Sequence, residues 1–444
     1  MADKGDSFST PEKDLRERRS RRIACNPLPT IGEDDLRLLV SLLSSDSLLE
    51  GKEIGAFEKM FCDYLGVKHC VSFGRGRVAL YAVLKALGVS SGDEVIIPAY
   101  TCFVVPNAVH STGARLVYVD IDPLTFNMDI EKVRDKITSN TKVIVPHHLF
   151  GQPLDMKPLL ELAEDAGLFV VEDCAQALGA KYNGKKVGTL SDAAFFSFDF
   201  SKNITTGQGG MATANSSSIG ERLREIQDEF AFPSKTYVYS KILALMRGTY
   251  LLEPSASLTR ALVGEIVNKY MVVASNFRYI TREKFQSAMS DSQFFCLANA
   301  LAKIGIFQLR RVDYFNKRRV EIAKQYNELL LELGSSPVHV IPNVDHVFLR
   351  YALRVKNRRE FGKLLKRHQI VLGNWFDYVV HPNSVQRKIL SYKAGACLNA
   401  EAATQKVVNI PNHPKMSDED VDHVMDTLRQ YYPREKYQSN GIRI

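Results

Sequence analysis

Phe195 to Met211 reads FFSFDFSKNITTGQGGM. An apolar run ends at Phe198, Lys202 follows in a short polar stretch, and Gly207, Gly209 and Gly210 let the backbone turn sharply. Taken alone, Lys202 reads as a solvated surface group, because lysine is seldom buried without a task. About 30 residues upstream, Val170-Val171-Glu172-Asp173 sets two acids directly after another apolar run,. Taken alone, Asp173 reads as a helix N-cap. A third element, Phe73-Gly74-Arg75-Gly76-Arg77, is a glycine turn opening a helix, where backbone N–H groups and the helix dipole attract an anion such as phosphate. By itself such a turn is weak evidence. The combination is more specific. A glycine turn, then an acid, then a lysine is the order of a pyridoxal phosphate site: the acid pairs with a protonated pyridine nitrogen and the lysine forms the Schiff base.

The elements around these residues fit that use. Short β-branched runs at Glu94 to Ile97, Arg115 to Val119, Lys142 to Val145 and Leu168 to Val171 alternate with helical stretches such as Arg77 to Leu87 and Met156 to Ala166. Such alternation predicts an α/β fold with a mainly parallel sheet covered by helices on both faces. Ligands in such sheets sit at the carboxyl ends of the strands, where Asp173 falls. The reading divides the chain into a disordered basic leader over 1–26, a large cofactor-binding domain over 27–229 and a mostly helical insertion over 230–290. The remainder, 291–444, holds a linking helix and a small α+β C-terminal domain. That helix is expected over 297–333, and a closing helix over 418–432 with its N-cap at Ser417.

Composition excludes several classes. The 444 residues are 45% hydrophobic and 24% charged, as in ordinary globular proteins, with no run of about 18 apolar residues to span a bilayer,. The net charge of +8 comes from 58 Lys+Arg against 50 Asp+Glu. Part of it sits in the leader at Arg16, Arg18, Arg19, Arg21 and Arg22, and no basic stripe interleaved with aromatics appears beyond it, so no nucleic-acid partner is expected. Seven scattered cysteines form no C-x-x-C pair and no His/Cys metal spacing. Reduced thiols in a cytoplasm are expected, with no metal. The insertion sets apolar clusters beside Lys235, Lys241, Arg247, Arg260, Lys269, Arg278 and Arg282. Helices packed on the body or on a dimer partner are the plain reading. A basic amphipathic surface for a membrane or a partner protein is the sharper alternative.

Across about residues 27 to 435 the sequence resembles the DegT/StrS-type sugar aminotransferases, pyridoxal-phosphate enzymes of fold type I. The resemblance is carried by LLEGKEIGAFEKMFCDYLGV, ALGVSSGDEVIIPAYT, GARLVYVDIDPLTFNMD, VPHHLFGQPLDM, VVEDCAQALGAKYNGKKVG, SFDFSKNITTGQGGM, FQLRRVDYFNKRRVEIAKQY and VVNIPNHPKMSDEDV. It implies that Lys202 is the Schiff-base lysine, with Asn203 next to it at the cofactor, and that Asp173 partners the pyridine nitrogen. It also implies that Gln176 lies near the ring oxygen and that Ser197 binds phosphate. Gly76 and Arg77 fall on the family's phosphate cup, with Arg75 beside them. A lysine rather than a histidine at 202 argues against the sugar-dehydratase branch.

Three departures stand out. The ring-stacking aromatic after Pro-x-x-Thr is Cys102, with Phe103 beside it. Gly-Glu-Gly-Gly is Gly207-Gln208-Gly209-Gly210. The Gly-x-Asn-x-Arg segment that reaches the neighbouring subunit is not recognisable, so Arg75 and Arg77 are candidates to replace its donors. The implied function is amino transfer from glutamate or glutamine to a nucleotide-activated keto sugar, in a homodimer, for amino-sugar or surface-polysaccharide synthesis. Another ketone substrate, or a non-catalytic regulatory descendant of the fold, remains open at this point.

Overall fold

The computed structural model describes residues 23–24, 30–252, 289–382 and 391–432. Helices α1 (Glu33–Leu42) and α2 (Glu53–Leu65) precede the large sheet. In α2, Phe57, Phe61 and Leu65 recur every four residues and form its buried face, and Gly66 ends the helix in the left-handed conformation that only glycine adopts without cost,. Then follow β1 (His69–Phe73), α3 (Gly76–Ala86), β2 (Glu94–Pro98), α4 (Val104–Ser111), β3 (Arg115–Val119), β4 (Thr141–Ile144), α5 (Met156–Ala166), β5 (Phe169–Asp173), β6 (Ala193–Ser197), β7 (Gly210–Ala214) and α6 (Ser217–Asp228).

The strands form one seven-stranded sheet in the order β1-β7-β6-β5-β4-β2-β3. Its pairs are parallel except those of β7, which runs against both β6 and β1. That reversal matters for the site. The carboxyl ends of β1, β5 and β6 and the amino end of β7 meet at one edge, with Gly210 opposite both Ser197 and Phe73, and Phe195 opposite Asp173.

Strand alternation then sorts the side chains by face. Phe196 and Phe198 pack edge-on against Phe61 of α2 at ring-centroid distances of 5.0 and 5.6 Å, which sends Ser197 to the opposite face. On β5 the same rule separates the two acids. Glu172 turns toward the loop beyond, accepting hydrogen bonds from the Gly188 and Leu190 amides at 2.8 Å, and Asp173 faces the other way.

Close approach of backbones at this edge depends on Gly210. A Cβ there would lie 2.6 Å from the carbonyl carbon and oxygen of Arg75 and from Cα of Gly76, none of which can move aside by a rotamer change. Gly210→Ala is expected to cost about 1–3 kcal/mol of stability, the scale of overpacking. Chemical denaturation would measure it; an unchanged midpoint would show that the turn yields freely.

Beyond the sheet, α7 (Lys235–Leu252) opens the insertion, and α8 (Asn299–Leu309) and α9 (Val312–Glu332) lead to the smaller domain. The single helix expected over 297–333 is thus two. The break at Arg310–Arg311 lets Gln308 and Arg311 reach the buried Asp35 of α1 together, at 2.7 and 2.5 Å. The smaller domain pairs β8 (Tyr351–Arg354) with β9 (Val407–Ile410) in antiparallel register. It is closed by α10 (Arg358–Arg367), α11 (Leu398–Lys406) and α12 (Asp418–Tyr431). Ser417 caps α12 as expected, accepting from the Asp420 amide at 3.2 Å.

The leader is not disordered throughout. Ile23–Ala24 pair in parallel with Ile370–Val371, and Ile23 is buried in the small-domain core, so apolar burial fixes this piece of the segment expected to be loose. Residues 1–22 and 25–26 lie outside the described residues. Of the insertion, α7 packs on the body: Val238, Ile242, Leu245 and Met246, spaced as one helical stripe, are fully buried,. Residues 253–288, including Arg260, Lys269, Arg278 and Arg282, lie outside the described residues. No helix among those described is long and apolar enough to cross a membrane.

Candidate active site

The sheet edge opens into a cleft lined by residues of the large domain together with Trp375 and Phe376. Asp173, at the end of β5, and Lys202, in the loop after β6, both line it. Asp173 Oδ1 accepts the Ala175 amide at 3.0 Å. Burial raises the Asp173 pKa, opposed first by that hydrogen bond and then by the charge of Lys202. Lys202 is shifted the other way: burial lowers its pKa, while Cys102, Asp173 and Asp199 favour its charged form. A desolvated lysine keeps more of its amine neutral, the form that is nucleophilic and can accept a proton.

The loop carrying Lys202 is braced from beneath. The Lys202 amide bonds the Asp199 carbonyl at 3.1 Å. Buried Arg319 of α9 donates to the Asn203 carbonyl at 3.3 Å and to Asn316 at 2.9 Å. Asn203, expected at the cofactor, belongs to this brace instead. Its side chain donates to Asn316 at 3.2 Å and does not line the cleft, because the turn that exposes Lys202 sends its neighbour inward.

The cleft's other end is an anion cradle. Gly76 is the first residue of α3, where the Arg75 side chain makes no cap bond, and the N-terminus of such a helix favours an anion. A Cβ on Gly76 would lie 2.8 Å from Ser197 Cβ, which means the cradle's two walls touch here and a larger residue would fill it. Arg75 and Arg77 also line the cleft. Arg77 Nη1 lies 3.5 Å from Asn107 Oδ1 and its guanidinium stacks 5.2 Å over the Phe103 ring. Burial, and then the neighbouring Arg75, lower the Arg77 pKa to about 10. Phe103 therefore acts as a support under Arg77 and does not line the cleft, a correction to its expected place at the cofactor ring. Cys102 does line it, and burial raises its thiol pKa.

Gln176 lines the cleft, with Oε1 accepting the Phe150 amide at 3.2 Å. Among the lining residues that escaped the sequence reading are His147, His148, Trp375 and Phe376. The histidines follow the end of β4, the strand-end position that could have flagged them. His148 has a fixed tautomer. The Leu154 amide donates to Nδ1 at 3.0 Å, so Nε2 carries the proton that reaches Glu172 at 3.1 Å,. The trio His148, Glu172 and Cys174 lies close enough for a metal ion, yet Glu172 is already engaged by three backbone amides. Trp375 and Phe376 come from the small domain. Tyr100 holds Phe376, its hydroxyl 3.2 Å from both the amide and the carbonyl, and the Trp375 amide donates to Asn409 Oδ1 at 3.1 Å. No local pattern announces residues so distant in sequence.

A half-buried lysine and aspartate sharing a cleft at the carboxyl edge of a mainly parallel seven-stranded sheet, with a smaller domain over it, define the architecture of the fold type I aminotransferases. The chain belongs to the DegT/DnrJ/EryC1/StrS aminotransferase family, whose pattern it matches over residues 29–244 and 274–429. It is 34% identical over 387 residues to GDP-perosamine synthase of Caulobacter vibrioides, covering 86% of this chain and 90% of that one. It is 30% identical to the spore coat polysaccharide biosynthesis protein SpsC of Bacillus subtilis, over 90% of this chain and 95% of that one. Among solved structures it resembles S. venezuelae DesV, captured with a ketimine intermediate, at TM-score 0.73 and 26% identity, over 94% of this chain and the whole of the other.

Proposed function

We propose that the protein moves an amino group from an amino acid to a nucleotide-activated keto sugar, with pyridoxal phosphate as cofactor and as a homodimer. The observation that carries this reading is the convergence of Lys202 and Asp173 at one end of the cleft with the Gly76–Ser197 cradle at the other. The site fits the cofactor: an anion cradle, a half-buried carboxylate and a desolvated amine line one cleft, matching its phosphate, ring nitrogen and aldehyde. When bound, pyridoxal phosphate supplies an electron sink for charge developing at the substrate carbon.

The chain's own groups supply the rest. Asp173 holds a proton on the ring nitrogen, since a half-buried carboxylate stabilises an adjacent cation strongly. Lys202 Nζ takes the proton from the donor's α-carbon and returns it on the opposite leg. Ser197 and the first amides of α3 hold the phosphate, with Arg75 and Arg77 adding charge-assisted bonds. Trp375, Phe376 and His148 wall the cleft against water. The keto-sugar substrate follows the activities named for the relatives. A cytoplasmic setting fits the six described cysteines, which are all free thiols.

The test is transfer of label from ¹⁵N-glutamate or ¹⁵N-glutamine to nucleotide-linked 3- and 4-keto sugars, read by mass spectrometry. Absence of labelled amino sugar across both donors would refute the substrate class. For the cradle, Arg77→Ala is expected to weaken cofactor binding by about 1.5–3 kcal/mol, the scale of a charge-assisted hydrogen bond. Titration of cofactor into the apoprotein checks it, and an unchanged Kd would assign the phosphate to other groups.

A further inference from the structure

The inserted helix α7 reaches the anion end of the cleft from the same chain. Its buried stripe holds it on the body, and Tyr237 and Lys241, one turn apart, lie toward the loop between Lys202 and β7,. The approach is close. Gly207, at φ 83°, has no side chain to intervene, and a Cβ there would sit 3.2 Å from Lys241 Cβ. Tyr237 donates its hydroxyl proton to Gln208, which lines the cleft. The Tyr237 ring gathers two cations: the Lys241 ammonium lies 4.8 Å and the Arg75 guanidinium 6.0 Å from its centroid. Arg75 also stacks 5.4 Å over Phe295, just beyond the insertion.

We propose that α7 completes the phosphate-binding end of the cleft in cis, Tyr237 positioning Arg75 toward the cofactor's 5′-phosphate and Lys241 adding a second positive charge behind it. The inference rests on the cofactor reading above. The arrangement favours an anion nearby. Burial and then the charge of Arg75 lower the Lys241 pKa to about 8, with Asp199 acting against them, and Arg77 is shifted down by the same Arg75. Crowding cations in a desolvated space is unfavourable, and a phosphate dianion placed among them removes that cost. Tyr237 and Lys241 do not line the cleft themselves, so they are positioning residues. Their effect should fall on the phosphate and not on the ring.

The test compares pyridoxal 5′-phosphate with pyridoxal, which lacks the phosphate, on apoprotein by absorbance titration. Lys241→Met is expected to raise the Kd for pyridoxal 5′-phosphate by about tenfold and leave that for pyridoxal unchanged, the scale of one charge-assisted contact. Lys241→Arg, which keeps the charge, should restore binding, separating electrostatics from folding. Tyr237→Phe should weaken the phosphorylated ligand alone, by less. Equal losses for both ligands would mean that α7 acts only structurally and would overturn the proposal. So would an unchanged Kd in Lys241→Met, or weakened GDP binding with cofactor affinity intact, which would place a substrate diphosphate here. Failure of wild-type protein to bind pyridoxal 5′-phosphate at all would instead remove the cofactor reading on which the proposal stands.

Discussion

Lys202→Ala is expected to lower turnover at least about 10³-fold, because one side chain provides both the covalent attachment and the proton carrier, and general acid–base catalysis alone is worth 10²–10⁴-fold. The fold should survive. The loop is held by backbone and by neighbours: the Thr206 amide to the Phe198 carbonyl at 3.0 Å, the Thr205 hydroxyl to the same carbonyl at 3.2 Å, and Arg319 to the Asn203 carbonyl. Lys202→Arg should be as inactive as the alanine variant, since a guanidinium keeps the charge but neither attacks nor accepts a proton near neutral pH. Steady-state assay with circular dichroism as the folding control measures this. Activity within tenfold of wild type in either variant would move the role to another lysine, and borohydride reduction with peptide mapping would find it.

Asp173→Asn is expected to lower turnover about 10²–10³-fold, the cost of removing one preorganised electrostatic partner, while the variant still binds cofactor. The amide preserves the shape and can keep the bond from the Ala175 amide, so the loss isolates the charge. The sign of the stability effect separates this role from a structural one. Burial raises the Asp173 pKa, so the folded cofactor-free protein holds its proton more tightly than the unfolded chain does. Ionised Asp173 therefore destabilises that state as pH rises from the ordinary carboxylate range through the raised value. At pH 7 the cofactor-free Asp173→Asn protein should melt no lower than wild type. A lower melting temperature together with near-normal turnover would show that Asp173 serves packing alone.

The resemblance to a family made the activity legible early, yet particular residues show what local sequence can and cannot say. Asp173, Gln176 and Ser197 fall at strand ends or just beyond them, and a strand's end is a local property of its apolar run. Glu172 and Asp173 are equivalent in composition but not in direction; the two-residue period of β5 sends one to the Gly188–Ser191 loop and the other to the cleft. Asn203 and Phe103 were misplaced for the same kind of reason. Each adjoins a cleft residue in the chain, and a turn of one residue reverses which way a side chain points.

The order of glycine turn, acid and lysine, the strand–helix alternation and the cap at Ser417 were determined by the sequence itself, because backbone preference and apolar periodicity act over a few residues. Tertiary structure alone decided the remainder of the site. His147 and His148 enter beside Asp173 through the pairing of β4 with β5. Trp375 and Phe376 arrive from the small domain because Val380–His381 pair with Thr101–Cys102. Tyr237 reaches Arg75 because the apolar stripe of α7 had to be buried on the body. Those contacts join residues far apart in the chain, and they form wherever burial and hydrogen bonding of whole elements are satisfied together, which no short stretch of sequence encodes.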